Sequence, residues 1–363
     1  MKKSLRIVQL IDSLHPGGAE RMALNLANGL SSEIEFSGLM VTREEGGLRQ
    51  LVEDKTPYIF LNRNSVLDFK ALKKGVVWLK ENQVDIIHAH GTSLFFAVLC
   101  KLRFSKIKII WHDHYGNSEL LQQRPKILLF FLIRFVHQVI VVNQHLLQWN
   151  KSVLYVRKIQ MIPNFSNLIS PNSSKNFNMP LLNGKEGKRI LCVANFRKQK
   201  NHELILKVAE KMLQHFPDWT FHLVGKSFED DYMIHLKNFV ESREIANVFF
   251  YHDAFNISDI MKQVNISILS SISEGLPLVV LEYANNELPI LATDVGDVSL
   301  VVKDQVNGFL VKSNDEIGFY EKLVQLIENE ELRAHFGKTI KEHVEKEFSE
   351  IGFYERYFSF LEV

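Results

Sequence analysis

What most restricts the fold of this chain is a rhythm of short apolar or β-branched runs, each followed by a longer stretch with apolar residues at helical spacing. Residues 5–11, 34–41, 85–90, 107–112 and 139–142 read as strands, and Met22, Leu26 and Leu30 share one face of the first intervening helix. Parallel strands need a crossover of a dozen or more residues, which such helices supply. The rhythm breaks at 163–188, where Pro163, Pro171 and Pro180 stand with Gly184 and Gly187 among Ser and Asn. It resumes with strands at 189–193, 220–224, 248–251, 266–269 and 289–293. A chain of 363 residues exceeds what one core fills, so the break marks a boundary between two Rossmann-like domains. The expected organisation is an α/β domain over 1–165, a linker over 166–188 and a second α/β domain over 189–345. A helical end over 346–363 carries Phe353, Tyr354, Tyr357, Phe358 and Phe360, rings that need burial, with the first domain as the expected place.

Other classes are excluded by what is missing. The longest apolar run, 127–133, falls far short of the roughly 20 residues of a membrane span. Lys2, Lys3 and Arg6 precede an apolar run too short for a signal peptide. The two cysteines, Cys100 and Cys192, fit a reducing compartment, so a cytoplasmic location is expected. The net charge of +1 hides an asymmetry: 22 Lys and Arg against 13 Asp and Glu in 1–165, and 21 against 29 in 166–363. The first half is therefore expected to meet an anionic partner, such as the inner membrane face or a phosphate-bearing acceptor. Lys101, Arg103, Lys106, Lys108, Arg124, Lys126 and Arg134, close to the apolar run 128–131, read either as an interfacial patch or as an ordinary solvated helix face. No base-stacking or groove-reading motif points to nucleic acid.

The chemistry concentrates after residue 266. The strand 266–269 feeds a turn through Glu274, Gly275, Leu276 and Pro277 into a helix opening at Leu278, whose free amides and positive end suit phosphate or hydroxyl-rich ligands. Glu282 follows Glu274 by eight residues, about 2.2 helical turns, which would let both carboxylates face one cleft. Carboxylate oxygens accept charge-assisted bonds from sugar or ribose hydroxyls; the plainer reading makes the two glutamates a helix-start charge and a solvated face. Arg197 and Lys200 follow the strand 189–193, at the strand end where α/β folds bind ligands. Gly17 and Gly18 precede a helix and allow close approach of a phosphate or sugar, or form a plain tight turn. His88 with His90, and His112 with His114, invite a zinc-site reading beside that of hydrogen-bonded cleft histidines. Glu229, Asp230 and Asp231 open a helix, where acidic residues favour the dipole without any metal.

The strings Glu274-Gly-Leu-Pro-Leu-Val-Val-Leu-Glu282, Pro289-Ile-Leu-Ala-Thr-Asp-Val-Gly296 and Asn307-Gly308-Phe-Leu-Val resemble the retaining glycosyltransferases of family 4. The first turn at Gly17-Gly18, the strand through His88 and His90, Ile162-Pro163-Asn164 and Val224-Gly225 extend the likeness along nearly the whole chain. The resemblance implies the GT-B fold, two facing Rossmann-like domains with an inter-domain cleft. It implies a nucleotide diphosphate sugar donor, a UDP-sugar by preference, and a hexose or N-acetylhexosamine moved with retention to a glycan or lipid-linked acceptor in surface polysaccharide assembly. By the same resemblance Glu274 holds donor-sugar hydroxyls, Glu282 the ribose, and His112 the reacting centre. Lys200 matches the lysine that neutralises the diphosphate. Asn195 stands where the family usually has an arginine, so Arg197 is the candidate substitute. Gly17, Gly18, the backbone near Tyr251, and the turn Gly275, Leu276, Pro277 and Leu278 complete the expected donor site. No metal and no other cofactor is expected. A metal-dependent hydrolase built on the paired histidines is the alternative, and a catalytically silent sugar-nucleotide-binding module a third reading.

Overall fold

A computed structural model describes residues 3–116, 118–165, 181–228, 230–252 and 257–362, with the side chains of 118–120 left aside. Most of the expected linker, 166–180, and Glu229 lie outside the described residues. The chain divides into two compact units, one of Met1–Asn164 with Ile351–Val363, the other of Phe165–Glu350.

Among the described residues, unit one is built on seven parallel strands: β1 Lys3–Ser13, β2 Ile34–Glu44, β3 Tyr58–Phe60, β4 Ile86–His90, β5 Lys108–Asp113, β6 Gln138–Val141 and β7 Ile159–Met161. Their order is β3-β2-β1-β4-β5-β6-β7. The chain runs outward from β1 to β3, then returns to place β4 on the other side of β1. That reversal leaves a crevice outside the carboxyl ends of β1 and β4. Strands buried on both faces read as near-continuous apolar runs, as β1 and β2 do, which is why they were legible. β3 and β7 are three-residue, half-buried edge strands with no such run. Met22, Leu26 and Leu30 are buried on one face of the helix Gly18–Glu33.

Unit two repeats the plan with six parallel strands: β8 Arg189–Val193, β9 Thr220–Gly225, β10 Val248–His252, β11 Ile266–Leu269, β12 Ile290–Thr293 and β13 Phe309–Val311. The order β10-β9-β8-β11-β12-β13 puts its reversal between β8 and β11. Phe196, Phe221, Leu236, Ile268, Phe319 and Phe336 share its core. Asp230 caps the helix Asp231–Ser242 by accepting from the Met233 amide at 3.2 Å.

The terminal helix Glu350–Phe360 packs on unit one, with Phe353, Tyr354, Tyr357 and Phe358 all buried. Gln138 donates to the Phe360 carbonyl at 2.5 Å, and the Lys3 ammonium sits 4.5 Å from the Phe358 ring. Among the described residues no helix is long and apolar enough to cross a membrane.

Candidate active site

In unit two the exits of β8 and β11 are laced together at the switch point. The Lys200 ammonium lies 2.5 Å from Glu274 Oε1, and Ser271 Oγ donates to the same oxygen at 2.6 Å. Glu274 is buried and Lys200 is partly so, which makes this a largely desolvated ion pair. Both loops are braced around it. Gln199 donates its side-chain amide to the Ser273 carbonyl at 2.7 Å, the Ile272 amide donates to the Gln199 carbonyl at 2.8 Å, and Ser270 Oγ donates to the Lys200 carbonyl at 2.8 Å. Gly296 closes the floor at φ +56°, where a Cβ would stand 2.2 Å from the Glu274 carbonyl oxygen; only glycine combines that dihedral with that approach.

The helix Leu278–Asn285 opens at Pro277, which offers no capping side chain. The helical phase argument for Glu274 and Glu282 needs correction, because Pro277 is extended and only 278–282 of that span is helical. Glu282 is nevertheless buried in the helix. Its neighbour Tyr283 accepts from the Val193 amide at 2.7 Å and so pins the helix to the end of β8.

The exits of β8 and β9 press together at Gly225, where a Cβ would stand 2.0 Å from the Ala194 carbonyl oxygen. The Asn195 side chain accepts from the Lys226 amide at 3.1 Å, so Lys226 emerges beside Asn195. Arg197 Cζ stands 4.7 Å from the Phe228 ring and Lys226 Nζ 5.5 Å from it. Among the described residues neither cation has a carboxylate partner. Sequence reasoning missed Lys226; the signal was its place directly after the glycine that ends β9. The Tyr251 side chain is turned to other work, bonded to His222 Nδ1 at 3.1 Å and accepting from the Asn183 amide at 3.2 Å.

In unit one the corresponding crevice carries histidines. His88 and His90 on β4 and His112 on β5 point to one face, since alternate residues of a strand share a side. Their rings stack: His88 lies 4.6 Å from His90 at 20° and 5.2 Å from His112 at 16°, and His114 lies 3.9 Å from His112. Gln9 Oε1 can only accept, so His90 Nε2 carries the proton of their 2.9 Å bond. His90 Nδ1 then accepts from His114 Nε2 at 3.0 Å. Tyr357 meets His88 Nδ1 at 3.0 Å. Both ring nitrogens of His112 are buried with no hydrogen-bond partner among the described residues. Burial holds all four imidazoles neutral: His88 is pushed down to about 3 by burial and then by His114, and His114 to about 4 by burial, with Asp113 opposing. His90 and His112 lie well below the ordinary value for the same reason. Gly17 precedes the helix Gly18–Glu33, and a Cβ on Gly18 would meet nothing within 4 Å, so open space adjoins that turn.

Donor atoms of His88, His90 and His112 lie within 4.8 Å of one another. Near-parallel stacking nonetheless sends their in-plane lone pairs side by side rather than to one point, and both nitrogens of His90 are engaged, so a tetrahedral zinc at about 2.0 Å has no converging donors. Asp113, the nearest carboxylate in sequence, is locked in a buried bidentate pair with Arg124 at 2.7 and 2.8 Å and accepts from Asn150. Arg124 is thereby removed from the surface patch that the sequence suggested.

The sequences of both units match known families. The family described as Glycosyltransferase Family 4 matches residues 16–168, and Glycosyl transferases group 1 matches residues 174–343. The chain is a family 4 glycosyltransferase. It is 24% identical to the UDP-Gal:alpha-D-GlcNAc-diphosphoundecaprenol alpha-1,3-galactosyltransferase of Escherichia coli, over 90% of this chain and 88% of that protein. It is 25% identical to the amylovoran biosynthesis glycosyltransferase AmsD of Erwinia amylovora, over 92% and 93%. The structure of Anabaena HepE in complex with UDP-glucose superposes with a TM-score of 0.76 over 99% of both chains at 17% identity, a likeness of fold. The fold is GT-B and the enzyme a nucleotide-sugar glycosyltransferase, which overturns the metal-dependent hydrolase.

Proposed function

We propose that this family 4 enzyme transfers a hexose or N-acetylhexosamine from a UDP-sugar, with retention, to a glycan or lipid-linked acceptor in surface polysaccharide assembly. The observation that carries this reading is the desolvated Lys200–Glu274 pair at the β8/β11 switch point. An ammonium has three protons, so Lys200 keeps one on Glu274 and offers the others to the diphosphate. Glu274 then turns its acceptor capacity to sugar hydroxyls and stabilises positive charge as the glycosidic bond to the leaving group lengthens. Arg197 and Lys226, without carboxylate partners among the described residues, supply further positive charge to the diphosphate, and the amides after Gly275, Leu276 and Pro277 add theirs. Glu282 takes the ribose. In unit one the nitrogens of His112, without a hydrogen-bond partner among the described residues, await a sugar hydroxyl, and the open space beside Gly18, in the turn that begins at Gly17, admits the substrate. UDP-glucose in the HepE structure and the lipid diphosphate named for the E. coli relative support the donor and acceptor classes.

The test is a thermal-shift panel of UDP-sugars followed by turnover with the one that stabilises most. A donor at about 100 times its Kd adds roughly 2.7 kcal/mol to stability. Absence of any shift across the panel would overturn the donor assignment. A shift without turnover on any glycan or lipid-linked acceptor would make the protein a silent binding module.

A further inference from the structure

The histidine cluster of unit one has a direction, set by the groups that hold it. Gln9, buried on β1, presents its carbonyl oxygen to His90 Nε2 at 2.9 Å. A carbonyl oxygen only accepts, so the proton of that bond sits on His90 Nε2 and leaves His90 Nδ1 bare. His114 Nε2 stands 3.0 Å from that bare nitrogen and is therefore the donor. A neutral imidazole carries one ring N–H, so His114, protonated at Nε2, has its lone pair on Nδ1. Burial, with Asp113 opposing, pushes His114 down to about 4, and the lone pair is kept near neutral pH. A glutamine on β1 thus fixes the state of a ring at the exit of β5, two strands away in the sheet.

The other nitrogens of the four rings are engaged or enclosed. His88 Nδ1 meets the Tyr357 hydroxyl at 3.0 Å, both nitrogens of His90 are bonded, and His88 Nε2 and the two nitrogens of His112 are buried. Among the described residues of this cluster, His114 Nδ1 alone combines an unengaged lone pair with access to solvent. The ring is also held in place. Its centroid lies 3.9 Å from that of His112 and 5.2 Å from that of His90, nearly parallel to the latter at 11°. Its two chain neighbours are braced: Asp113 accepts from the Tyr115 amide at 3.3 Å and pairs with the buried Arg124, whose guanidinium stands 4.3 Å from the Tyr115 ring. Directly after His90, a Cβ on Gly91 would meet nothing within 4 Å, so the protein leaves space at the exit of β4.

A fixed lone pair on an uncharged ring is selective. A phosphate oxygen would bring its own lone pairs and a negative charge, with nothing on His114 to attract them. A hydroxyl brings a proton. We propose that His114 is a further substrate-binding residue of the transfer reaction, its Nδ1 accepting a hydrogen bond from a sugar hydroxyl, and that Gln9 and His90 are positioning residues that act through it. This rests on the reading of the chain as a sugar transferase and adds a contact to the one given to His112. The hydroxyl belongs to the donor sugar or to the glycan of the acceptor, two sources of one chemistry.

The nitrogen states are read first, by nitrogen NMR of the full chain carrying isotope-labelled histidine, with His90→Phe and His114→Phe assigning the signals. A protonated His90 Nε2 and a bare His114 Nδ1 are expected; a proton on His114 Nδ1 would overturn the proposal. No substrate is needed for this result, so it stands apart from the donor assignment. His114→Phe keeps a flat ring in the stack and removes both nitrogens. It should lower kcat/KM about 3- to 10-fold, the worth of one neutral hydrogen bond, with UDP bound as in wild type. Weaker calorimetric binding of the UDP-sugar, with UDP unchanged, identifies a donor hydroxyl; a raised acceptor KM with unchanged UDP-sugar binding identifies an acceptor hydroxyl. Wild-type values of both would overturn the proposal. Gln9→Met removes the fixed end of the chain of bonds and leaves His90 able to hold its proton on either nitrogen. His114 Nδ1 is then bare in roughly half of the molecules, so kcat/KM should fall about twofold while the His90 and His114 signals report both states. Mixed nitrogen states with undiminished kcat/KM would overturn the positioning role. A wild type that binds no UDP-sugar undermines the donor assignment and leaves the nitrogen result standing.

Discussion

The two units use one plan for opposite electrostatic ends. At its switch point, unit two gathers charge: a desolvated Lys200–Glu274 pair, with Arg197 three positions before Lys200 and Lys226 bonded beside Asn195, neither having a carboxylate partner among the described residues. At the same topological place unit one gathers four neutral imidazoles in ring contact, those of His88, His90 and His112 buried and that of His114 half-buried. A diphosphate needs fixed charge, and a lysine keeps its proton far above neutral pH. A neutral imidazole can donate to a sugar hydroxyl through one nitrogen and accept from another through the second, which an imidazolium cannot. The same fold therefore positions either chemistry, and the side chains at the strand exits choose.

Acid should separate the units most strongly. An unfolded histidine titrates near 6.5, while His88 and His114 in the folded unit lie at about 3 and about 4. Between those values the unfolded chain binds more protons, so stability is full above about 6.5 and is lost as pH falls through the window. Unit two carries His202 and His222, each at about 4, but among the described residues these two imidazoles contact other aromatic rings and not each other. On going from about pH 7 to about pH 5, unit one should lose amide protection before unit two, as read by hydrogen exchange, and His114→Gln should flatten that loss. Earlier opening of unit two would break the comparison.

The next largest effect divides the two glutamates. Glu274→Gln should lower kcat by roughly 10- to 150-fold, the worth of a charged hydrogen bond, while UDP binding stays near wild type. Glu282→Gln should raise the donor KM and weaken UDP with kcat little changed, because the ribose is held alike in ground and transition states. Steady-state kinetics beside calorimetry of UDP decides this, and equal loss of UDP binding in both variants would refute the division. Smallest is the contribution of Lys226. Lys226→Gln should weaken UDP about tenfold and leave uridine binding unchanged, since one charged contact to phosphate is worth roughly 1.5 kcal/mol. An equal effect on uridine would show that the residue shapes the loop instead.

Much of this was legible in the sequence. The βα rhythm announced two sheets of parallel strands, because helix and strand periodicity follow from local backbone geometry. The string from Glu274 to Glu282 marked the exit of β11, where the structure pairs Glu274 with Lys200, and the crowded aromatic residues at the end of the chain required burial. Three short edge strands escaped notice, as pairing on one side only leaves no apolar run to read. Arg124 looked like a surface cation until the fold gave it Asp113, which Asn150 also bonds, and the faces of Trp111 and Trp149.

Other relations belong to the tertiary structure alone. Lys200 meets Glu274 across 74 positions, and Tyr357 meets His88 across 269. Lys226 comes beside Asn195 because β8 and β9 are neighbours and Gly225 lets their exits touch. Sequence periodicity determines which residues form strands and which face of each is buried. The order of those strands in a sheet is set by the packing of helices and crossovers over the whole unit, and that order decides which strand exits, and hence which charges, share a crevice.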